Sequence, residues 1–236
     1  MESKVLTVVI ALQLVALGAC ADQSPTEPWD PQIDPADFVS TIDNPYFPLE
    51  PGTTYSYSGE TEDGRETGEV LVTSETRVVL GVTTLVVRDR VFLEGELIEE
   101  TFDWYAQDSE GNVWYFGEDS KEFEGGELVS TEGSWEAGVD GAKPGIIMLA
   151  DPTVGTEYRQ EYAPGVAEDM GRVLGLDESA DAPFGSFTGC LKTEDSTPLE
   201  PGVREHKFYC PDIGLVLEID VTGGGARNEL IDVQGP

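Results

Sequence analysis

The sequence predicts an all-β protein: one large, curved antiparallel sheet, a half-barrel or a barrel, built as a hairpin meander with minimal helix. Three observations carry this. Short runs rich in Val, Thr, Tyr, Phe and Trp recur along the chain, broken by Gly, Pro and Asp, the pattern of strands and turns. The linkers are tight ("LGVT", "EG", "QDSEG", "EGG", "APFG", "PDIG", "TGGG"), and parallel strands need a crossover of a dozen or more residues. Helical periodicity is scarce. A sheet of so many strands has to curl, close or split into two layers.

The first element is a leader. Residues 1–4 form a short polar start with Lys4, and residues 5–17 are almost wholly apolar, with Gln13 the strongly polar break. This is the build of a secretory signal, and the run is shorter than the ~20 apolar residues of a membrane-spanning helix. Leu17-Gly18-Ala19-Cys20 resembles the bacterial lipobox, from which Glu2 in the start region departs mildly. The resemblance implies a signal peptide over 1–19, with Cys20 lipidated on its thiol and forming the mature N-terminus. The alternative is an ordinary signal peptide cut nearby, releasing a soluble secreted protein. Residues 21–34, rich in Pro, Asp and Gln without periodicity, cannot bury a core and read as a flexible tether beginning at Cys20. The remaining residues, 35–236, form one domain by length.

Within that domain the expected strands are 53–59, 66–79, 83–93, 96–106, 112–117, 127–137, 145–149, 157–162, 171–179, 186–194, 204–210, 215–221 and 227–233. Short helices are expected at 35–40 and 164–170. Alternation is visible in places. In "TTLVVRDRVFLEG", Thr83, Leu85, Val87, Asp89, Val91 and Leu93 share one face, and Thr84, Val86, Arg88, Arg90 and Phe92 share the other. In "ELIEETFDWYA", Ile98, Glu100, Phe102 and Trp104 share a face. "PLEPG" occurs at 48–52 and at 198–202, which reads as repeated turn chemistry.

"NPYFPLEPG" at 44–52 and "PFGSF" at 183–187 resemble an uncharacterised family of bacterial extracytoplasmic lipoproteins. Those proteins begin "NPYFPLxPG" and run into successive hairpins. At fold level they are loosely similar to the half-barrels that carry lipoproteins or lipids across the envelope. The resemblance implies an extracytoplasmic, membrane-anchored location, on the periplasmic or cell-surface side, and brings no catalytic residue.

The formal net charge is -34, from 47 acidic and 13 basic residues. Phosphate binding needs a basic patch, so nucleic acid is excluded as a partner, and anionic headgroups would repel the domain. The acids are spread along the chain, which fits a solvated surface or salt adaptation better than a dedicated cation site. If Cys20 carries lipid, Cys190 and Cys210 remain as an even pair in an oxidising compartment. Folding 186–210 as a hairpin with Glu194 opposite His206 places 190 opposite 210. Facing residues have Cα atoms about 4.5 or 5.5 Å apart, a range that a disulfide accepts.

Named chemistry is thin. His206 is the single histidine, and on this register it pairs with Glu194. "DSEGN" at 108–112 offers alternate oxygen side chains, but its glycine is misplaced for a helix–loop–helix calcium site, and a hairpin turn is the better reading. Adjacent carboxylates are expected by chance among so many. No cofactor or metal is expected. The best clue is the aromatic cluster of "FDWYAQDSEGNVWYFGE". Cross-strand stabilisation is its simplest explanation. The alternative is an apolar concave lining, with Trp104 and Trp114 holding a hydrophobic ligand and Arg88 and Arg90 meeting an acidic headgroup. The arginines would otherwise pair with Glu100. The expected function is binding, of a hydrophobic ligand or an envelope protein, without enzymatic activity. Two alternatives stand beside it. A structural surface lipoprotein would show a filled core, and a carboxylate-dependent hydrolase would show two convergent buried carboxylates.

Overall fold

The computed structural model describes residues 29–236; Cys20, the expected signal peptide and residues 20–28 of the expected tether lie outside them. Fifteen strands form one antiparallel sheet: β1 (Thr54–Thr61), β2 (Gly64–Val79), β3 (Val82–Leu93), β4 (Glu96–Gln107), β5 (Val113–Glu124), β6 (Glu127–Ser130), β7 (Trp135–Glu136), β8 (Lys143–Met148), β9 (Glu157–Arg159), β10 (Glu161–Tyr162), β11 (Met170–Ala182), β12 (Gly185–Ser196), β13 (Glu205–Cys210), β14 (Gly214–Asp220) and β15 (Arg227–Gln234). The order is β10-β8-β5-β4-β3-β2-β1-β15-β14-β13-β12-β11-β9, with β6 and β7 on the side of β5.

The two ends of this order are neighbours in sequence. Only Gln160 separates β9, which pairs with β11, from β10, which pairs with β8. One short segment therefore spans both edges and nearly closes the sheet into a barrel. Closure removes the unpaired edges that an open sheet would expose. The expected strand 157–162 is thus divided between two partners. The expected strand 127–137 is likewise two short pieces, β6 and β7. The helix expected at 164–170 is absent. Ala163 and Ala167 instead exchange backbone hydrogen bonds of 2.6 and 2.9 Å around Pro164-Gly165, where Gly165 takes φ 74°, a conformation a helix cannot use. The helix expected at 35–40 contracts to a 3-10 turn, Pro35–Asp37, whose Asp34 side chain accepts from the Ala36 N–H at 3.0 Å.

One end of the barrel is plugged by "NPYFPL". Asn44 is buried and its amide donates to the carbonyls of Gly111 (2.9 Å) and Leu149 (3.1 Å). Its Oδ1 accepts from the Tyr46 N–H at 2.9 Å. Gln107 Oε1 accepts from the N–H groups of Asp43 and Asn44, both at 2.9 Å. These bonds satisfy buried polar groups and carry Phe47 and Leu49 into the core, where Phe47 lies edge-on to Tyr105 with ring centroids 5.4 Å apart.

The outer face of β3–β5 is covered too. Phe38 packs edge-on against Trp114 and Phe116, at 6.3 and 5.5 Å. Residues 29–34, expected to be tether, are held against this side. Trp29 Nε1 donates to the Pro144 carbonyl at 2.9 Å, Lys143 Nζ reaches Trp29 O and Asp30 at 2.7 Å each, and Ile33 packs on the cluster beneath the strap. Residues 29 and 30 are therefore docked on the domain and not free of it, because they find partners on β8. Cys190 and Cys210 form a fully buried disulfide with Cα atoms 4.2 Å apart. The register is the expected one, with Lys192 opposite Phe208 and Glu194 opposite His206.

Candidate functional site

Inside the barrel, beyond the plug, is a cavity of about 290 Å³, at the lower end of the range for small-ligand sites. Each wall strand contributes alternate residues: Glu66, Gly68 and Val70 from β2; Val87, Asp89 and Val91 from β3; Glu99, Thr101, Asp103 and Tyr105 from β4. On β5 the alternation breaks. Tyr115 faces Tyr105 and Glu118 faces Asp103, with Phe116 and Gly117 looped out opposite Trp104. Gly117 takes φ 134°, and a Cβ there would collide with the Trp135 carbonyl oxygen. This bulge turns both Tyr115 and Glu118 inward.

The apolar end is built from Phe47, Leu49, Val70, Ile147, Ile213 and Leu215, beside Tyr55 and Tyr209. The far end reaches the surface at Glu132 and Val166, which are exposed. Between them the walls carry eleven carboxylates and, among the described residues, one basic side chain, Lys207.

Burial dominates the electrostatics. It pushes Glu66 up to about 7. It raises Asp89 to about 7, with Asp103 and then Glu66 adding like charge. Asp103 rises to about 7 although the Tyr115 hydroxyl donates to it at 2.6 Å. Glu99 rises to about 8 against the hydrogen bond from Thr101, 3.0 Å. Glu118 is raised by burial and then by Asp103. Across the lumen Glu161 is held up by burial and Asp169, and it accepts from Trp135 Nε1 at 3.1 Å. Burial works against the charge on Lys207, but Glu218, Asp195 and Glu205 overcome it and hold the ammonium well above its ordinary range. Its Nζ lies 3.3 Å from Asp195 and 3.5 Å from Glu205.

The structure places the expected ligand residues elsewhere. Trp104, Trp114, Arg88 and Arg90 alternate with lumen residues, so they lie on the outer face and do not line the cavity. Trp104 is buried under the Arg77 guanidinium, 4.0 Å from its ring, and Arg77 pairs with Glu136. Trp114 Nε1 donates to Asp108 at 2.8 Å. Arg88 and Arg90 both pair with Glu69; Glu100 stands opposite Arg90 in register. The expected concave aromatic lining exists, but it is made by tyrosines. His206 pairs with Glu194 at 3.5 Å. "DSEGN" is a hairpin turn whose Asp108 carboxylate accepts from the N–H groups of Glu110 and Asn112 and from the Asn112 amide.

Sequence reasoning misses the lumen carboxylates as a set. Among the lumen carboxylates of β2–β5, Glu66 and Asp89 alone stand between small or β-branched residues two positions away on each side, Gly64 and Gly68, and Val87 and Val91.

No family model matches the chain, and no curated protein matches it in sequence. Among solved structures it is similar to an exported protein with a YmcC-like fold from Bacteroides fragilis, at 14% identity and TM-score 0.48, covering 81% of this chain and 100% of that one. It is also similar to a lipoprotein from Parabacteroides distasonis, at 11% identity and TM-score 0.44, covering 81% of this chain and 99% of that one. At these scores the likeness bears on neither function nor family.

Proposed function

We propose that this protein is an extracytoplasmic binding module, anchored by lipid on Cys20, that holds a small ligand with an apolar body inside its barrel. The observation that carries the reading is the cavity of about 290 Å³ between the plug and the mouth. A purely structural barrel would fill that space with side chains, as small barrels do. The apolar end accepts a hydrocarbon or aromatic body, and the tyrosines offer ring faces. Anchoring follows from the Leu-Gly-Ala-Cys sequence at 17–20 and puts the domain outside the cytoplasm.

A hydrolase is the second reading, because Asp103 and Glu118 do converge across β4 and β5. Acid–base catalysis needs two groups whose environments push their pKa values apart. Here burial raises Glu66, Asp89, Glu99, Asp103 and Glu118 together, which favours binding over turnover. Native mass spectrometry of the protein purified from its own envelope tests both claims. Acyl mass on a peptide starting at Cys20 and a small non-covalent adduct on the folded domain are expected. A bare domain with an empty lumen would overturn the binding reading.

A further inference from the structure

The wall formed by β2–β5 holds a charge problem. Glu66, Asp89, Glu99, Asp103 and Glu118 come from four adjacent strands, and no basic side chain among the described residues joins them in the lumen. Lys207 is engaged on the opposite side by Asp195 and Glu205. Carboxylates only accept hydrogen bonds when ionised, and buried ones need donors. Tyr115 serves Asp103, and Thr101 serves Glu99. Glu66 is different. It is 5% exposed, it lines the cavity, and its Oε2 has no hydrogen-bond partner. Asp89, on the next strand, feels its charge. An acceptor-rich wall is thus aimed into a lumen whose plugged end is apolar.

We propose that this wall is a head-group site for an organic cation, an ammonium on a short apolar body, with its N–H donors on Glu66 and Asp89 and its body toward Val70 and Leu215. The proposal rests on the lumen-binding reading and names the ligand class. Charge-assisted N–H···O bonds are the strong ones, and the Tyr57 ring borders the same space and adds a cation–π face. A bare calcium ion fits less well. It takes six to eight oxygens at short range, and among the described residues no three acidic or histidine side chains converge that way.

The test is calorimetric titration of the full mature protein at pH 8.5 with n-octylamine, n-octanol, n-octanoate and calcium chloride. Octylamine is expected to bind, and octanol to bind at least about tenfold more weakly. Glu66→Gln and Asp89→Asn are each expected to weaken octylamine by about tenfold while raising the melting temperature of the ligand-free protein. A merely structural carboxylate would not separate those two readouts. Octylamine affinity should also fall from pH 8.5 to pH 5.5. Over that range Glu66, Asp89, Glu99 and Asp103 take up protons, and burial raises Glu118 in the same direction. Across the lumen Glu161 and Glu218 follow the same direction, and Lys207 remains charged. Octanol or octanoate binding as tightly as octylamine would overturn the cation while leaving the binding reading intact. Calcium binding without octylamine binding would do the same. No binding by any probe overturns the cation alone if the envelope-purified protein carries an adduct, and overturns both readings if it does not.

Discussion

Asp103 and Glu118 face each other across β4 and β5 inside the barrel, and Asp103 adds to the cost of ionising Glu118. Two buried acids in register would be a plain defect in a filled core. In a lumen they keep a hydrated or ligand-bearing space open, at a stability cost that depends on pH.

That cost has a definite sign. Glu66, Asp89 and Asp103 have folded values near 7, and Glu99 near 8, all above their unfolded values near 4. The native state therefore binds more protons than the unfolded chain between about pH 4 and 8, so stability falls as pH rises through that window. A tenfold difference in one carboxyl's proton affinity between the folded and unfolded chain is worth about 1.4 kcal/mol. Each kcal/mol moves the melting temperature by about 2–4 °C at this size. Ligand-free protein is expected to melt at least about 5 °C higher at pH 5.5 than at pH 8.5. Scanning calorimetry across that range checks it, and a flat profile would contradict the burial of this cluster.

Lys207 should behave in the opposite way. It sits among Asp195, Glu205 and Glu218, so Lys207→Met leaves buried negative charge uncompensated. A loss of about 3–5 kcal/mol is expected at pH 8, shrinking in acid as Glu218, raised by burial, takes up a proton. Urea unfolding at both pH values measures it.

The disulfide spans 20 residues, and by the chain-entropy argument it contributes roughly 3 kcal/mol. Cys190→Ser is expected to lower the melting temperature under oxidising conditions while leaving the sheet intact by circular dichroism. An unchanged melting temperature would show that the bond does not constrain the unfolded chain.

Gly145 tests the seam. A Cβ there would collide with the Gln160 backbone, at the crossing between the two sheet edges. Gly145→Ala should loosen β9 and β10 before the rest of the barrel. Hydrogen exchange is expected to rise in residues 157–163 while β2–β4 stay protected. A uniform change would mean that the seam does not open as a separate unit.

Much of this architecture is legible without coordinates. Turn spacing and β-rich runs determine an antiparallel meander, because tight linkers permit nothing else. The hairpin register around Glu194 and His206 follows from where the turn lies, and it brings Cys190 to Cys210. Alternation likewise separates Val87-Asp89-Val91 from Arg88-Arg90. What alternation cannot supply is which face becomes the inside. A period of two distinguishes the faces of a strand without assigning either, and both faces here carry apolar residues, since the plug and the strap cover opposite sides of β3–β5. Only closure through the 157–162 segment decides the matter. It puts Asp89, Asp103 and the tyrosines in the lumen, and it leaves Trp104, Trp114 and the arginines outside. The bulge at Gly117, invisible to any regular alternation, turns Glu118 in beside them.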